Sequence, residues 1–309
     1  MTTGASNGPQ AVSKAIIPAA GMGTRFLPAT KSMPKEMLPI IDKPVLQFVV
    51  EEAVASGITD ILIITARGKH AIENHFDDNP ELEMFLTRSG KTDLLEHAHN
   101  LAPGCRLYYI RQNHPRGLGD AIRLARDHVG DAPFAVLLGD TVIDPAPSSP
   151  PGLRQLIDAY ERIAAGVVAV HRVPTDWVPR YGIIDGEAQS ADNPNLLRVR
   201  ALVEKPAAAD APSDLAIAGR YILTPDIFDC IDEVDSDADS ELQLTDALNV
   251  LARRRPFYAL RWDARRYDIG NRIEYAKCFI DFALRRPDTA DAVRDHLIQL
   301  QHLHRTPGS

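Results

Sequence analysis

The stretch Lys14-Ala15-Ile16-Ile17-Pro18-Ala19-Ala20-Gly21-Met22-Gly23-Thr24-Arg25 runs from an apolar segment directly into a glycine-rich loop. The apolar part is typical of a buried strand. Glycines allow backbone amides to approach a ligand closely, and successive N–H groups at the carboxyl edge of a parallel sheet can line an anion-binding concavity. The stretch therefore predicts a strand that ends at a phosphate site, to which Arg25 adds a positive charge.

Two other kinds of glycine-rich loop fit this stretch less well. A Walker loop needs a Gly-Lys-Ser/Thr sequence at a fixed spacing, and a dinucleotide fingerprint needs a third glycine; the loop has neither. Taken alone, it is equally well explained as an ordinary tight turn. The rest of the sequence has to decide between these interpretations.

Short apolar segments alternate with amphipathic stretches along the chain, which is the pattern of a sheet covered by helices. Strands are predicted at residues 14–19, 58–65, 105–112, 134–138, 167–173, 197–203, 216–223 and 257–262. Helices are predicted at residues 44–56, 118–128, 153–165, 226–232 and 243–254. Because no flexible linker separates two cores, the second half is expected to extend the sheet of the first. The expected fold class is α/β, with a Rossmann-like doubly wound, mixed and mostly parallel sheet flanked by helices.

Composition and charge exclude several classes of protein. The 309 residues are 45% hydrophobic and 25% charged, as in an ordinary soluble protein, and the net charge of -8 argues against nucleic acid or an acidic membrane as a partner. No apolar run approaches the roughly 20 residues of a membrane span, and residues 1–10 lack the features of a signal peptide. Cys105, Cys230 and Cys278 are widely spaced, which indicates neither a disulfide framework nor a zinc site and fits a cytoplasmic protein.

The continuation of the glycine loop carries a family resemblance. Gly21-Met22-Gly23-Thr24-Arg25-Phe26-Leu27-Pro28 is followed by Ala29-Thr30-Lys31 and by Pro34-Lys35-Glu36-Met37-Leu38-Pro39. Further motifs follow in order: Arg111-Gln112, Gly117-Leu118-Gly119-Asp120-Ala121, Leu138-Gly139-Asp140, Tyr181-Gly182, Val203-Glu204-Lys205-Pro206, Ala218-Gly219-Arg220-Tyr221, Glu241-Leu242-Gln243-Leu244-Thr245-Asp246-Ala247 and Tyr267-Asp268-Ile269-Gly270-Asn271. Over residues 14–285 the chain resembles the sugar-phosphate nucleotidyltransferases, and in particular the bacterial UTP--glucose-1-phosphate uridylyltransferases.

The resemblance implies an activity and a domain plan. The activity would be transfer of the uridylyl group of UTP to glucose 1-phosphate, with Mg²⁺ as cofactor, by a homodimer or homotetramer that binds neither nucleic acid nor membranes. Residues 14–285 would form one domain, with a nucleotide-binding half at 14–144, a sugar-binding half at 152–271 and a C-terminal helix at 272–285. Residues 1–13 are expected to be a disordered tail and residues 286–309 an extension.

The resemblance also implies a role for each matching residue. Catalytic cations would be Arg25, Lys35 and Lys205. Nucleotide-binding residues would be Ala20, Gly21, Gly23, Thr24, Glu36, Gln112 and Gly117. Sugar-binding residues would be Tyr181, Gly182, Glu204, Lys205 and Ala218. Magnesium would be held by Asp140 and Asp268.

These roles agree with chemical need. The Gln112 amide offers a donor and an acceptor to the imide edge of a pyrimidine. Magnesium prefers one or two carboxylates together with phosphate oxygens, so Asp140 with one distant partner suffices. Each residue also has a plainer interpretation: Asp140 as a turn or cap residue, and Arg25, Lys35 and Lys205 as members of exposed charge pairs.

Three alternatives remain open at the level of the sequence. Gly139 stands where such uridylyltransferases often carry proline, and thymidylyl and cytidylyl relatives share this form, so dTTP and CTP remain candidate nucleotides. Residues 113–116, next to the expected base site, also differ from the expected pattern. A non-catalytic regulatory relative that binds nucleotide sugars is the second alternative, and a dinucleotide-binding dehydrogenase is the third.

Overall fold

A computed structural model describes residues 8–191, 193–234 and 241–303, without the side chain of His97. The strands are β1 Lys14–Pro18, β2 Pro39–Ile40, β3 Lys43–Pro44, β4 Asp60–Thr65, β5 Arg106–Arg111, β6 Phe134–Leu137, β7 Thr141–Pro145, β8 Val167–Arg172, β9 Gly182–Ser190, β10 Asn193–Glu204, β11 Leu215–Leu223, β12 Tyr258–Arg261 and β13 Ala264–Asp268. The helices are α1 Val45–Ala55, α2 His70–Phe76, α3 Pro80–Arg88, α4 Thr92–Ala98, α5 Leu118–Arg123, α6 Arg126–Val129, α7 Gly152–Ile163, α8 Ile227–Val234, α9 Leu244–Arg254, α10 Arg272–Ala283 and α11 Ala290–Leu303. Short 3₁₀ turns cover Thr24–Phe26, Ala29–Lys31, Lys35–Met37 and Thr175–Arg180.

One large mixed sheet runs through the described residues in the order β5-β4-β1-β6-β11-β8-β12-β10-β9. Pairing is parallel from β5 to β6 and again between β8 and β12, and it is antiparallel between the other neighbours. The second half therefore extends the sheet of the first, as predicted, and the α/β class is confirmed. Parallel pairing is a property mainly of the first half.

The first strands are parallel because both of their faces are buried. Alternate residues of β1 enter different apolar clusters, with Ile16 in one and Ile17 in the other, and neither side chain is exposed to solvent. Strands covered on both faces by helices have no polar side to present to water, which is the condition for parallel pairing. The carboxyl ends of β1, β5 and β6 consequently share one edge of the sheet, where ligands bind in folds of this class.

A separate two-stranded ribbon crosses that edge. In it β7 pairs antiparallel with β13, so that Thr141 lies opposite Asp268. The backbone N–H of Ile269 then donates to the carbonyl of Asp140 at 2.9 Å. The ribbon thus brings together two acidic residues that are far apart in the sequence.

Several boundaries differ from the prediction. The single helix expected at residues 118–128 is two helices, α5 and α6, separated by Leu124 and Ala125. Ordered packing begins before residue 14, since Val12 is buried in an apolar cluster. Of the predicted tail, residues 1–7 lie outside the described residues. The predicted extension contains α11, and residues 304–309 lie outside the described part. Among the helices described, none is long and apolar enough to cross a membrane.

Candidate active site

A continuous cleft follows the carboxyl edge of the sheet. Its part beside the glycine loop has a volume of about 460 Å³, within the range of small-molecule sites. A second part lies towards β9 and β10, and the two share Leu118, Leu138, Asp140, Glu204 and Gln243 as walls. The cleft therefore has room for two substrates that meet near Asp140.

The glycine loop forms the floor of the first part. A side chain at Gly21 would come within 3.4 Å of the Lys35 ammonium, so the absence of a Cβ brings backbone and ammonium together. Gly23 has a φ of +65°, which favours glycine, and a Cβ at this position would lie 3.3 Å from Thr30 and from Lys35. The loop is exposed at Gly21 and Arg25, which leaves it accessible to a ligand.

Lys35 and Asp140 form the central ion pair of the cleft. The Lys35 Nζ donates to Asp140 Oδ2 at 2.5 Å, and both side chains are largely buried. Burial by itself would lower the pKa of Lys35, but the carboxylates of Asp140 and Glu36 raise it above the ordinary lysine value. Burial would likewise raise the pKa of Asp140, but the Lys35 ammonium holds it below the usual range. Both groups are therefore charged across the neutral range.

Three charged side chains converge on Gly270. A Cβ at this position would lie 3.0 Å from Asp268 Oδ1, 3.4 Å from Asp140 Oδ2 and 3.7 Å from Arg25 Nη1. The glycine keeps this space free. Two carboxylates that face one open space form a donor set that suits a hard divalent cation, and a neighbouring guanidinium suits an anion bound beside it.

Glu36 is 1% exposed, and it forms a buried ion pair. The Lys69 Nζ donates to Glu36 Oε2 at 2.8 Å and to the carbonyl of Ala19 at 2.5 Å. Burial raises the pKa of Glu36 and lowers that of Lys69. Lys69 thus ties the 3₁₀ turn that carries Lys35 to the end of β1, where the glycine loop starts.

Gln112 and Gly117 form the far end of the first part of the cleft. Gly117 has a φ of +104°, and a Cβ there would lie 2.5 Å from the carbonyl oxygen of Leu242. Hydrogen bonds fix this contact from both sides, from Leu242 N–H to the Arg116 carbonyl at 2.7 Å and from Gly119 N–H to the Leu242 carbonyl at 2.8 Å. The segment before α9 is thereby locked onto the loop before α5.

Glu204 and Lys205 lie at the end of β10, where Glu204 lines both parts of the cleft and Lys205 lines the first part. Glu204 lies opposite Gly182 in the β9–β10 register and accepts a hydrogen bond from Thr245 Oγ1 at 2.7 Å. Lys205 has a φ of +46° and its N–H donates to the Tyr181 carbonyl at 3.1 Å, which turns its half-exposed side chain towards the cleft wall. A side chain at Gly182 would meet both Glu204 and Thr245 at 3.1 Å.

Most of the residues singled out in the sequence line this cleft: Ala20, Gly21, Arg25, Lys35, Glu36, Gln112, Gly117, Asp140, Tyr181, Gly182, Glu204, Lys205 and Asp268. Gly23 and Thr24 shape the loop without being part of that lining. Ala218 is fully buried in the apolar cluster on the opposite face of the sheet from Ile217, which does line the cleft. The Ala218 side chain is therefore not available to a sugar.

Three further residues contribute to the site, although the sequence did not single them out. Thr245 orients Glu204, and Lys69 anchors Glu36. The Arg266 side chain is 8% exposed; its guanidinium lies 4.8 Å from the centre of the Tyr181 ring and 3.6 Å from Asp268 Oδ2, and its Nε has no hydrogen-bond partner in the described structure. Thr245 lies within the motif of residues 241–247, but nothing in the sequence distinguishes Lys69 or Arg266 from surface cations.

Comparison with known proteins places the chain in a family. The sequence pattern of the family described as nucleotidyl transferase matches residues 14–282. UTP--glucose-1-phosphate uridylyltransferase of Streptococcus pneumoniae is 50% identical over 290 residues, which cover 94% of this chain and 96% of that protein. The solved structure of UTP-bound UGPase from Acinetobacter baumannii is 36% identical, with a TM-score of 0.86, over 94% of this chain and 99% of the other. A UDP-glucose pyrophosphorylase complexed with UDP-glucose is 38% identical, with a TM-score of 0.81, over 89% of this chain and all of the other. The chain therefore belongs to the nucleotidyl transferase family.

Proposed function

We propose that this protein transfers the uridylyl group of UTP to glucose 1-phosphate, giving UDP-glucose and pyrophosphate in a Mg²⁺-dependent reaction. The observation that carries the proposal is the two-part cleft, whose parts meet at Asp140 beside two cations, in a chain 50% identical to a uridylyltransferase of this kind. One part suits a nucleoside triphosphate and the other a sugar phosphate.

The reaction is an in-line displacement at the α-phosphorus of UTP. A phosphate oxygen of glucose 1-phosphate forms the new bond to that phosphorus as the bond to the β-phosphate oxygen breaks, and the electron pair leaves with pyrophosphate. The attacking phosphate is already ionised at neutral pH, so no strong base is needed. Catalysis then consists of positioning two polyanions and neutralising their charge.

Cations of the chain face both polyanions. The amides of the glycine loop, with Lys35 and Arg25, hold the triphosphate and stabilise the charge that develops on the leaving pyrophosphate. Lys205, which follows the shared wall residue Glu204, holds the phosphate of the sugar. Glu204, oriented by Thr245, binds sugar hydroxyls, and Tyr181 with Gly182 shapes the wall around the ring.

Asp140 and Asp268 would hold the magnesium ion. The open space at Gly270 and the two carboxylates that face it fit a hard cation with oxygen ligands. When bound, Mg²⁺ supplies a Lewis acid for phosphate oxygens. Arg25, which borders the same space, would help to orient the triphosphate there.

The direct test is pyrophosphate release. The purified protein is incubated with glucose 1-phosphate and Mg²⁺ and with UTP, dTTP, CTP, ATP or GTP in turn. We expect release with UTP and none when Mg²⁺ is chelated. Release with dTTP or CTP alone would correct the nucleotide, and no release with any of the five would overturn the enzyme assignment for this sugar phosphate.

Lys205 provides a variant with a matched control. We expect Lys205→Met to lower kcat/KM for glucose 1-phosphate by about 10²-fold or more, since a charge on the reacting phosphate is lost. The Lys205 side chain is half exposed, so Tm should be unchanged. Lys31→Met makes the same change on an exposed 3₁₀ turn and should leave both quantities as they are. Equal kcat/KM for Lys205→Met and the parent would contradict the role.

We further propose a cytoplasmic homodimer or homotetramer. Cys105, Cys230 and Cys278 form no disulfide, as is usual in a reducing compartment. Exposed apolar side chains on the two C-terminal helices, Ile273, Phe279 and Ile280 on α10 and Ile298 on α11, support self-association. Light scattering after size-exclusion chromatography tests this; a monomer at micromolar concentration would contradict it.

A further inference from the structure

The amide of Gln112 is held in one orientation by the protein. Its Nε2 donates to Asp120 Oδ2 at 2.8 Å and to the Gly117 carbonyl at 3.2 Å, which uses both of its N–H groups. Gln112 and Asp120 are 6% and 7% exposed. No described residue donates to Gln112 Oε1, and Gln112 lines the cleft. The Gln112 amide can therefore offer a ligand only its carbonyl oxygen, Oε1, as a hydrogen-bond acceptor.

Asp120 is the charged and closer of the two acceptors that fix that orientation, at 2.8 Å against 3.2 Å for the Gly117 carbonyl. Arg123 Nη2 donates to Asp120 Oδ1 at 2.6 Å, so that one carboxylate oxygen faces the guanidinium and the other faces Gln112. A carboxylate only accepts hydrogen bonds, and a carbonyl oxygen does the same. Turning the Gln112 amide over would place its Oε1 against Asp120 Oδ2, two buried acceptors facing each other. That arrangement is costly, so the amide stays as it is.

We propose that Asp120 is a positioning residue for base selectivity: it makes Gln112 present an acceptor, and thereby selects a base with an N–H at the centre of its pairing edge. This rests on the proposed function and on Gln112 facing the base. Uracil has one donor on that edge, N3–H, and thymine has the same one. Cytosine carries an unprotonated nitrogen at this position, which repels an acceptor. Asp120 thus favours UTP and dTTP and rejects CTP.

The variant Asp120→Asn should reverse the orientation of the Gln112 amide without changing the size of the side chain at position 120. Arg123 can only donate, so it takes the amide oxygen of the new asparagine and leaves the asparagine N–H₂ facing Gln112. Gln112 then gains a hydrogen bond by turning its Oε1 towards the asparagine and its N–H₂ towards the base, and it gives up its longer bond to the Gly117 carbonyl at 3.2 Å. A donor at that point suits the cytosine nitrogen and opposes N3–H.

The test compares kcat/KM for UTP, dTTP and CTP in the parent, in Asp120→Asn and in Asp127→Asn. Asp127 is an exposed residue of the neighbouring α6, so its variant removes the same charge without touching Gln112. In Asp120→Asn we expect kcat/KM for UTP and for dTTP to fall together, and the ratio of kcat/KM for UTP to that for CTP to fall at least tenfold. In Asp127→Asn all three values should match those of the parent. A merely structural role would lower kcat/KM equally for all three nucleotides. An unchanged ratio of kcat/KM for UTP to that for CTP would therefore overturn the proposal.

Two measurements on the parent do not depend on the variant folding, and the second does not depend on turnover either. The parent should use UTP methylated at N3 at least tenfold less well than UTP, and equal use would overturn the proposal. The rise in Tm that each nucleotide produces reports binding without a sugar substrate. A parent stabilised by UTP and not by CTP supports this inference even if no pyrophosphate is released, which separates its failure from failure of the proposed reaction; equal stabilisation by both would contradict it.

Discussion

The Lys35 ammonium lies 2.5 Å from Oδ2 of Asp140. It thereby occupies the side of that carboxylate which a metal ion would need, and its pKa, raised by Asp140, keeps it charged. A metal ion held by Asp140 would have to displace this ammonium, and the triphosphate of the proposed substrate would offer it a new partner. The Lys35 ammonium is therefore expected to change its ion-pair partner in each catalytic cycle, from the Asp140 carboxylate to a phosphate of the nucleotide.

Lys35→Met separates these two effects. Without the competing ammonium, Mg²⁺ alone should bind about tenfold more tightly, while kcat with UTP falls about 10²-fold because the leaving group loses a cation. Isothermal titration calorimetry without nucleotide gives the first quantity, and pyrophosphate release gives the second. Lys31→Met is the matched control and should change neither. Unchanged Mg²⁺ affinity in Lys35→Met would contradict the exchange.

Gly117→Ala tests the lock between the loop before α5 and the segment before α9. The new Cβ would lie 2.5 Å from the Leu242 carbonyl oxygen, so the two segments must separate and Gln112 loses its support. We expect the KM for UTP to rise at least tenfold and Tm to fall. Gly57→Ala is the control, because Gly57 also has a positive φ, +93°, but faces open space. It should cost about 1–2 kcal/mol of stability for the backbone alone and leave KM unchanged.

Sequence reasoning predicted the frame of the site because apolar strands are easy to recognise. Gly21, Gln112 and Asp140 each follow such a strand, and parallel strands bring their carboxyl ends to one edge. Asp268 was implied only by a motif, since the ribbon that carries it to Asp140 depends on pairing between segments far apart in the chain. No local pattern encodes such a long-range contact.

What the sequence did not reveal has a common physical cause. A lysine or arginine is normally a surface residue, so Lys69 and Arg266 gave no sign that folding buries them beside carboxylates. Asp120, in turn, had the appearance of an ordinary first-turn helix residue, although its role depends on what Gln112 does with its two N–H groups. The stretch between β4 and β5 is polar and carries three helices that its weak apolar periodicity did not indicate.

Lys69→Met should produce a stability loss that depends on pH. It leaves Glu36 buried without its cation, which raises the Glu36 pKa further, and losing one partner of a buried pair typically costs about 3–5 kcal/mol. A carboxyl whose folded pKa is raised destabilises the fold when ionised, and this cost disappears once pH falls below its unfolded value. The difference in Tm between variant and parent should therefore be larger at pH 8 than at pH 5.

Two controls bracket the Lys69 result. Adding Glu36→Gln removes the buried carboxyl, so the Glu36 contribution to the pH dependence should be absent when Lys69→Met with Glu36→Gln is compared with Glu36→Gln alone. Lys43→Met breaks the partly exposed pair with Glu51 and should cost less than about 1 kcal/mol at either pH. A Tm difference for Lys69→Met that is the same at pH 5 and pH 8 would show that Lys69 does not affect the pKa of Glu36.

Arg220 supports the turn that carries Asp140 from beneath. Its guanidinium is fully buried and donates to Glu52 at 2.7 Å, to the Thr141 carbonyl at 2.8 Å and to the Leu138 carbonyl at 3.4 Å. The Glu52 carboxylate also accepts from the N–H of Leu153 at 2.9 Å. The pair thus connects β11, α1 and α7 to the residues on either side of Gly139-Asp140.

Arg220→Met should therefore affect both stability and metal use. Leaving Glu52 buried and unpaired should cost about 3–5 kcal/mol, and the concentration of Mg²⁺ that gives half-maximal rate should rise because the Asp140 turn is no longer braced. Adding Glu52→Gln removes the unpaired charge and should restore part of the Tm, but not the Mg²⁺ requirement. Arg172→Met, which breaks the exposed pair with Asp214, is the surface control. It should change stability by less than about 1 kcal/mol and leave the Mg²⁺ concentration for half-maximal rate unchanged. If the half-maximal Mg²⁺ concentration of the double variant returned to the parent value together with its Tm, Arg220 would act on stability alone.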